Sequence, residues 1–334
     1  MEKQNKQISF GWLMGALILL TLVSAVLALR YGSAALTLPE IMGGLLQTEP
    51  NSPAAQILWV VRLPRTAACF LAGAGLAVSG VLLQTATNNP LAGPNVIGVN
   101  AGAGFAIMLG LCLAPMAYKL LPILAFLGAF GCTMLIVFVA NKAGGSRVTI
   151  VLAGVAVSTL LSAGISLMKL IVPELSIAYT YFSVGGVSGV SFGNLMIPLL
   201  VIAGSFAAAL VLSSRLNLLC LGDSLARSLG VRVRIVRVLA LVLASASAAA
   251  AVSFAGLLGF VGLMVPHIAG KLTGSTDVRK LLPSAALLGA VLVILADLLG
   301  RVLFAPSEVP AGIITAFVGA PFFFVLLLQR RNRL

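Results

Sequence analysis

Ten long apolar stretches leave this chain one way to fold. They run over about residues 11–29, 63–83, 94–114, 120–140, 149–171, 193–213, 235–256, 258–272, 281–301 and 309–328. About 20 apolar residues cross a bilayer core as a helix. Inside lipid, every backbone N–H and C=O must be bonded within the protein, so only helices and closed barrels span. The runs are continuous rather than alternating, which excludes a β-barrel. The chain is 334 residues long, 60% hydrophobic and 9% charged, far from any soluble domain. The reading is an all-α polytopic membrane protein with about ten helices and one transmembrane domain over 1–334. The eighth run is short and holds Pro266, so it is expected to be broken or to span only in part. The lysines before Trp12 and the run to Leu29 could pass for a signal peptide. A first membrane helix fits better, because the run is long and nine more follow.

The charge is +13, but the basic residues sit at helix ends, which points to membrane topology and not to nucleic acid. With both termini in the cytoplasm, fifteen of the 21 basic residues lie inside. These are Lys3, Lys6, Lys142, Arg147, Arg215, Arg227, Arg232, Arg234, Arg237, Lys271, Arg279, Lys280, Arg330, Arg331 and Arg333. Arg30, Arg62, Arg65, Lys119, Lys169 and Arg301 lie outside. Two outer loops are long, 31–61 with Glu49 and Pro50, and 172–192 with Glu174; each has room for a short helix at the interface. Cys69, Cys112, Cys132 and Cys220 lie in or beside apolar runs without paired spacing, so they read as packing residues and not as disulfides or metal ligands.

The most charged interruption in the interior is Ser213 to Arg237. It carries five arginines and a single acid, Asp223. Leu219, Leu221, Leu225 and Leu229 recur there at helical spacing, with Ala226 beside them. Asp223 is placed to cap or start a helix and Gly230 to end one. The segment over about 220–231 is either a short amphipathic helix that docks something or an ordinary positive-inside loop.

Four further motifs bear on function. Arg62-Leu63-Pro64-Arg65 puts two arginines at the outer mouth of the second segment, with Arg301 on the same side. Such forks suit an acidic partner, or they snorkel singly to the interface. Asn89, Pro90, Pro94 and Gly98 fall where one helix breaks and another starts; this is a plain turn or a broken helix lining a path. The Gly98/Gly102 pair allows close helix approach. His267, the lone histidine, follows Pro266 and reads as a polar residue near a helix end, with no further metal ligands beside it. Asp297 stands four residues before Arg301 and pairs with it on one helix face. There is no P-loop, no HExxH and no GxSxG, so the chain reads as no enzyme, with no catalytic residue and no metal site. The competing class is a secondary transporter driven by an ion gradient, which wants coordinating groups at mid-membrane. Only Asp297 is on offer, and it sits toward a helix end.

In order, the chain carries RLPR (62–65), GVLLQ (80–84), NPLAxP with GxxxGA (89–103), LGxxxAxxLGV (221–231), GFVGLxxPH (259–267), ADxxxR (296–301) and EVPAGIITAFVGAPFF (308–323). This set resembles the permease subunit of binding-protein-dependent ABC importers for iron-siderophores, haem and cobalamin, the FecCD family, across nearly the whole chain. Gly270 stands where the family often has arginine, and 181–189 lacks the family's tryptophan. The resemblance implies a type II importer permease of ten helices per subunit, paired with a second permease chain, by default as a homodimer. It implies that Leu221, Gly222, Asp223, Ala226, Leu229 and Gly230 couple to a separate ATPase, which would bind ATP and Mg while this chain holds no cofactor. It implies that Arg62, Arg65 and Arg301 dock an extracytoplasmic substrate-binding protein. The path or gate candidates are then Asn89, Pro90, Pro94, Gly98 and Pro266. The expected cargo is an iron(III)-siderophore, with haem or cobalamin as alternatives, carried by alternating access across a prokaryotic cell membrane.

Overall fold

The computed structural model describes residues 9–32, 36–46, 48, 52–144, 146–303 and 305–331, apart from the side chains of 327 and 329–331. Lys3, Lys6, Glu49, Pro50 and Arg333, and the side chains of Arg330 and Arg331, lie outside the described residues. Every element among the described residues is helical. In chain order they are α1 (Phe10–Arg30), α2 (Leu38–Leu45), α3 (Pro53–Gln56), α4 (Leu63–Thr87), α5 (Val99–Leu113), α6 (Leu121–Lys142), α7 (Arg147–Ile171), α8 (Ser176–Val184), α9 (Met196–Cys220), α10 (Asp223–Ser228), α11 (Val233–Ala255), α12 (Val261–Thr273), α13 (Val278–Val302) and α14 (Ala311–Arg331). Each of the ten apolar runs contains a helix. Seven helices among the described residues are long and apolar enough to cross a membrane, while α5, α12 and the described part of α14 are shorter. The expected outer loops carry α2, α3 and α8.

Two boundaries differ from the sequence reading, each for a local reason. The second run starts ten residues early, at Pro53, and continues through a π-helical stretch, Ile57–Arg62, into α4. Ser52 Oγ accepts the Ala55 amide at 3.2 Å, and Pro53 costs nothing in the first turn. Pro64 has no N–H to give, and the wider turn ahead of it absorbs that gap. The third run does not start as a helix at 94. Pro94–Ile97 form one 3-10 turn, Gly98 takes a φ of +75°, and only then does α5 begin.

Burial orders the helices. The apolar stretch that includes α4 is 83% buried, against 17% for α7, so α4 is the axis of the bundle and α7 lies on its edge. Small residues make this possible. A Cβ on Gly73 would strike the backbone carbonyl of Gly289 in α13, and one on Gly80 would strike that of Gly262 in α12. Both neighbours therefore approach α4 backbone to backbone, as in tightly packed membrane helices. Polar side chains then pin α4 along its length. Ser247 Oγ of α11 donates to the Gly75 carbonyl at 2.8 Å, and Gln84 Nε2 donates to the Leu263 carbonyl at 3.1 Å. The four cysteines are free thiols, Cys69 and Cys132 buried, Cys112 and Cys220 half-buried.

Candidate functional site

At one end of the bundle, α9 gives way to a six-residue helix. Gly222 takes a φ of +106°, a turn that side chains resist, and α10 starts at Asp223. Arg227 Nε donates back to the Asp223 carbonyl at 3.0 Å. Gly230, at φ +79°, ends the element. Leu221, Leu225 and Leu229 are exposed at 57%, 48% and 53%, and together make an apolar surface left uncovered by the described residues. Ala226 is fully buried and seats the helix on the body, so it supports the surface without being part of it. Leu219 is also buried, in the last turn of α9, and does not belong to the exposed stripe.

Asp223 is the anchor of this element. Its Oδ1 accepts from Arg147 Nη2, at the start of α7, at 2.5 Å. Both its oxygens lie 2.7 Å from Arg237 Nη2 in α11. Arg237 reaches further, donating from Nε to the Ala86 carbonyl of α4 at 3.1 Å. Partial burial pushes the Asp223 carboxyl up, but the Arg237 hydrogen bond and charge, then the charge of Arg147, outweigh it and hold the group below its ordinary value. In the sequence, one acid set among five arginines hints at this. Which two arginines it would meet, 76 and 14 residues away, was not readable there. At the same end Asn217 Nδ2 donates to Asp277 Oδ1 at 2.7 Å, tying α9 to the start of α13. That bond, and the Arg279 amide, hold the Asp277 carboxyl low.

The opposite end holds Arg62, Arg65 and Arg301 together, but turned inward. All three are buried, at 4%, 7% and 5% exposure, which differs from the expected outward-facing set. The cause is the set of helix-end carbonyls and carboxylates nearby. A helix leaves its last four carbonyls without partners. Arg62 fills those of Leu29 and Arg30 in α1, the latter at 2.8 Å. Arg301 Nη1 reaches the Ala28 and Tyr31 carbonyls at 3.4 and 3.3 Å. Arg65 grips both oxygens of Asp297 through Nε and Nη2 at 2.9 to 3.1 Å, and holds Glu308 with Nη1 at 2.8 Å. Asp297 also lies 3.0 Å from Arg301 Nε, the i, i+4 pair expected from the sequence. Glu308 was not singled out beforehand. It alone of the cluster is part exposed, at 36% of its side chain. The cluster sets three cations against two carboxylates.

The path candidates do not converge. Asn89 and Pro90 sit in an exposed turn after Asn88, whose φ of +48° ends α4. Pro94 lines a small cavity of about 90 Å³ with Leu76, Gly93, Val96, Phe260 and Leu263. Gly98 is buried against Ile136 and Cys132 of α6 and serves packing there. Pro266 is buried inside α12, away from that lining. His267 is half-buried and meets the Phe322 ring edge-on, with centroids 6.0 Å apart.

Residues 18–329 match the FecCD transport family. The iron(3+)-hydroxamate import system permease protein FhuB of Bacillus subtilis is 35% identical over 96% of this chain and 84% of its own length. The ferric enterobactin transport system permease protein FepD of Escherichia coli is 35% identical over 95% of both chains. The structure is also similar to a metal-chelate type ABC transporter solved in an inward-facing conformation. The TM-score is 0.83 and the identity 31%, over 96% of this chain and all of the other.

Proposed function

This chain belongs to the FecCD transport family, and we propose that it passes an iron(III)-siderophore from a substrate-binding protein into the cytoplasm. The family is the membrane permease of ABC importers, so the chain is an integral membrane transport subunit of a prokaryotic cell and not itself an enzyme. The cargo reading rests on the relatives: one is named for iron-hydroxamate, one for ferric enterobactin and a third, from Yersinia pestis and 33% identical, for hemin.

The observation that carries the mechanism is the exposed leucine stripe on and beside α10, Leu221, Leu225 and Leu229. Three half-exposed leucines in water are costly, and burying the exposed half of each contributes about 1 kcal/mol. A groove on an ATPase subunit supplies that cover. In this reading, ATP and Mg bind the partner, the α10 end is cytoplasmic, and so are both termini. The opposite end then meets the binding protein, where the excess positive charge of the arginine cluster draws an acidic face. Two copies of the chain form the path between them, and the assembly alternates between outward and inward openings. Asp297 argues against an ion-driven carrier, since two guanidinium groups already neutralise it.

Leu225→Asp tests the reading. In membranes that also contain the ATPase subunit, the variant inserts normally but no longer co-purifies with the ATPase. Undiminished co-purification would remove α10 as the coupling element. A ligand screen on the cognate binding protein then names the cargo, and preference for a haem or corrinoid would overturn the siderophore assignment.

A further inference from the structure

The two arms of Asp223 are unequal. Arg237 has 7% of its side chain exposed, meets both carboxylate oxygens, and is anchored again on the Ala86 carbonyl. That arm joins α10 to α11 and to the central helix α4, and it is closed off from water. Arg147 is 28% exposed and meets one oxygen only. It is the first residue of α7, the least buried of the long helices. Its Nε is shielded from solvent yet has no hydrogen-bond partner among the described residues. A buried donor left unfilled is unfavourable, so this arm is incompletely satisfied where it stands.

We propose that Asp223 is a positioning residue with a fixed arm and a releasable arm. Arg237 holds the coupling helix to α11 and α4 throughout the cycle. Arg147 carries the movement of α10 to the start of α7, and this ion pair remakes or breaks as the ATPase closes. The inference deepens the reading of α10 as the coupling helix and rests on it. Its physical basis is general: an element transmits a change only if its contacts have two arrangements. A double contact backed by a third bond is poor at that, and a single contact on a loosely packed helix end is suited to it.

The test uses the full transporter in liposomes, with ATPase and binding protein, and reads chelate taken up per ATP hydrolysed. Arg147→Gln removes only the releasable arm. It is expected to leave the ATPase bound and to lower the ratio roughly tenfold, within the usual range of coupling between sites. Asp223→Asn should lower the ratio at least as far, and Asp223→Glu should recover most of it. Arg147 is part exposed at a helix end, so its variant folds even if Asp223→Asn does not. An unchanged ratio in Arg147→Gln would overturn the proposal. So would loss of the ATPase from both variants, which would make the pair a docking prop. Failure of the underlying reading looks different: Leu225→Asp would keep the ATPase.

Discussion

Asp297 is the residue on which the arginine end depends. It is buried between Arg65 and Arg301, with 3% of its side chain exposed. Removing one partner of a buried ion pair strands the other, at a cost of about 3–5 kcal/mol. Asp297→Asn should therefore lower the melting temperature of the purified protein by many degrees, while Glu308→Gln, at the part-exposed rim, should change it little. Equal effects would mean that the two acids share the load. Asp223 makes a prediction in pH. Its carboxyl is held low, so its contribution is complete above the unfolded value of about 3.9 and is lost as pH falls through the lower folded value. A spin label on Ser228→Cys should be equally immobile from pH 7 to 5 and loosen only below about pH 4. With Asp223→Asn added, it should be mobile throughout.

At the scale of elements, close approach to α4 sets the packing. Gly80→Val would drive a side chain into the Gly262 carbonyl, and overpacking a well-filled core costs about 1–3 kcal/mol or more. The expected result is a protein that inserts but melts early, whereas Gly131→Val, with open space at its Cβ, should behave like the parent. The helices themselves were legible in the sequence because a 20-residue apolar run has no other stable state in lipid. So was α10, since Gly222 and Gly230 bracket leucines at helical spacing. What periodicity could not tell was the rotation of each element. It placed Ala226 beside the leucines, yet Ala226 and Leu219 turned inward while Leu221, Leu225 and Leu229 turned outward. It brought Arg62, Arg65 and Arg301 to one end, but their inward turn depends on Asp297, Glu308 and the last carbonyls of α1. Apart from the Arg301–Asp297 pair, those contacts join residues more than 30 positions apart.

At the scale of the molecule, the two ends differ in chemistry. One presents an apolar stripe on a helix latched by ions, and the other buries a charge cluster with an excess of arginine. Between them, among the described residues, lie α4, six other helices long and apolar enough to cross a membrane, and three shorter ones. The most direct measurement is uptake into liposomes holding the permease and its ATPase, with ferric siderophore and binding protein outside and ATP inside. Uptake that requires both hydrolysis and binding protein, and that ignores an imposed ion gradient, is the predicted result. Uptake driven by the gradient with no ATPase present would contradict the account.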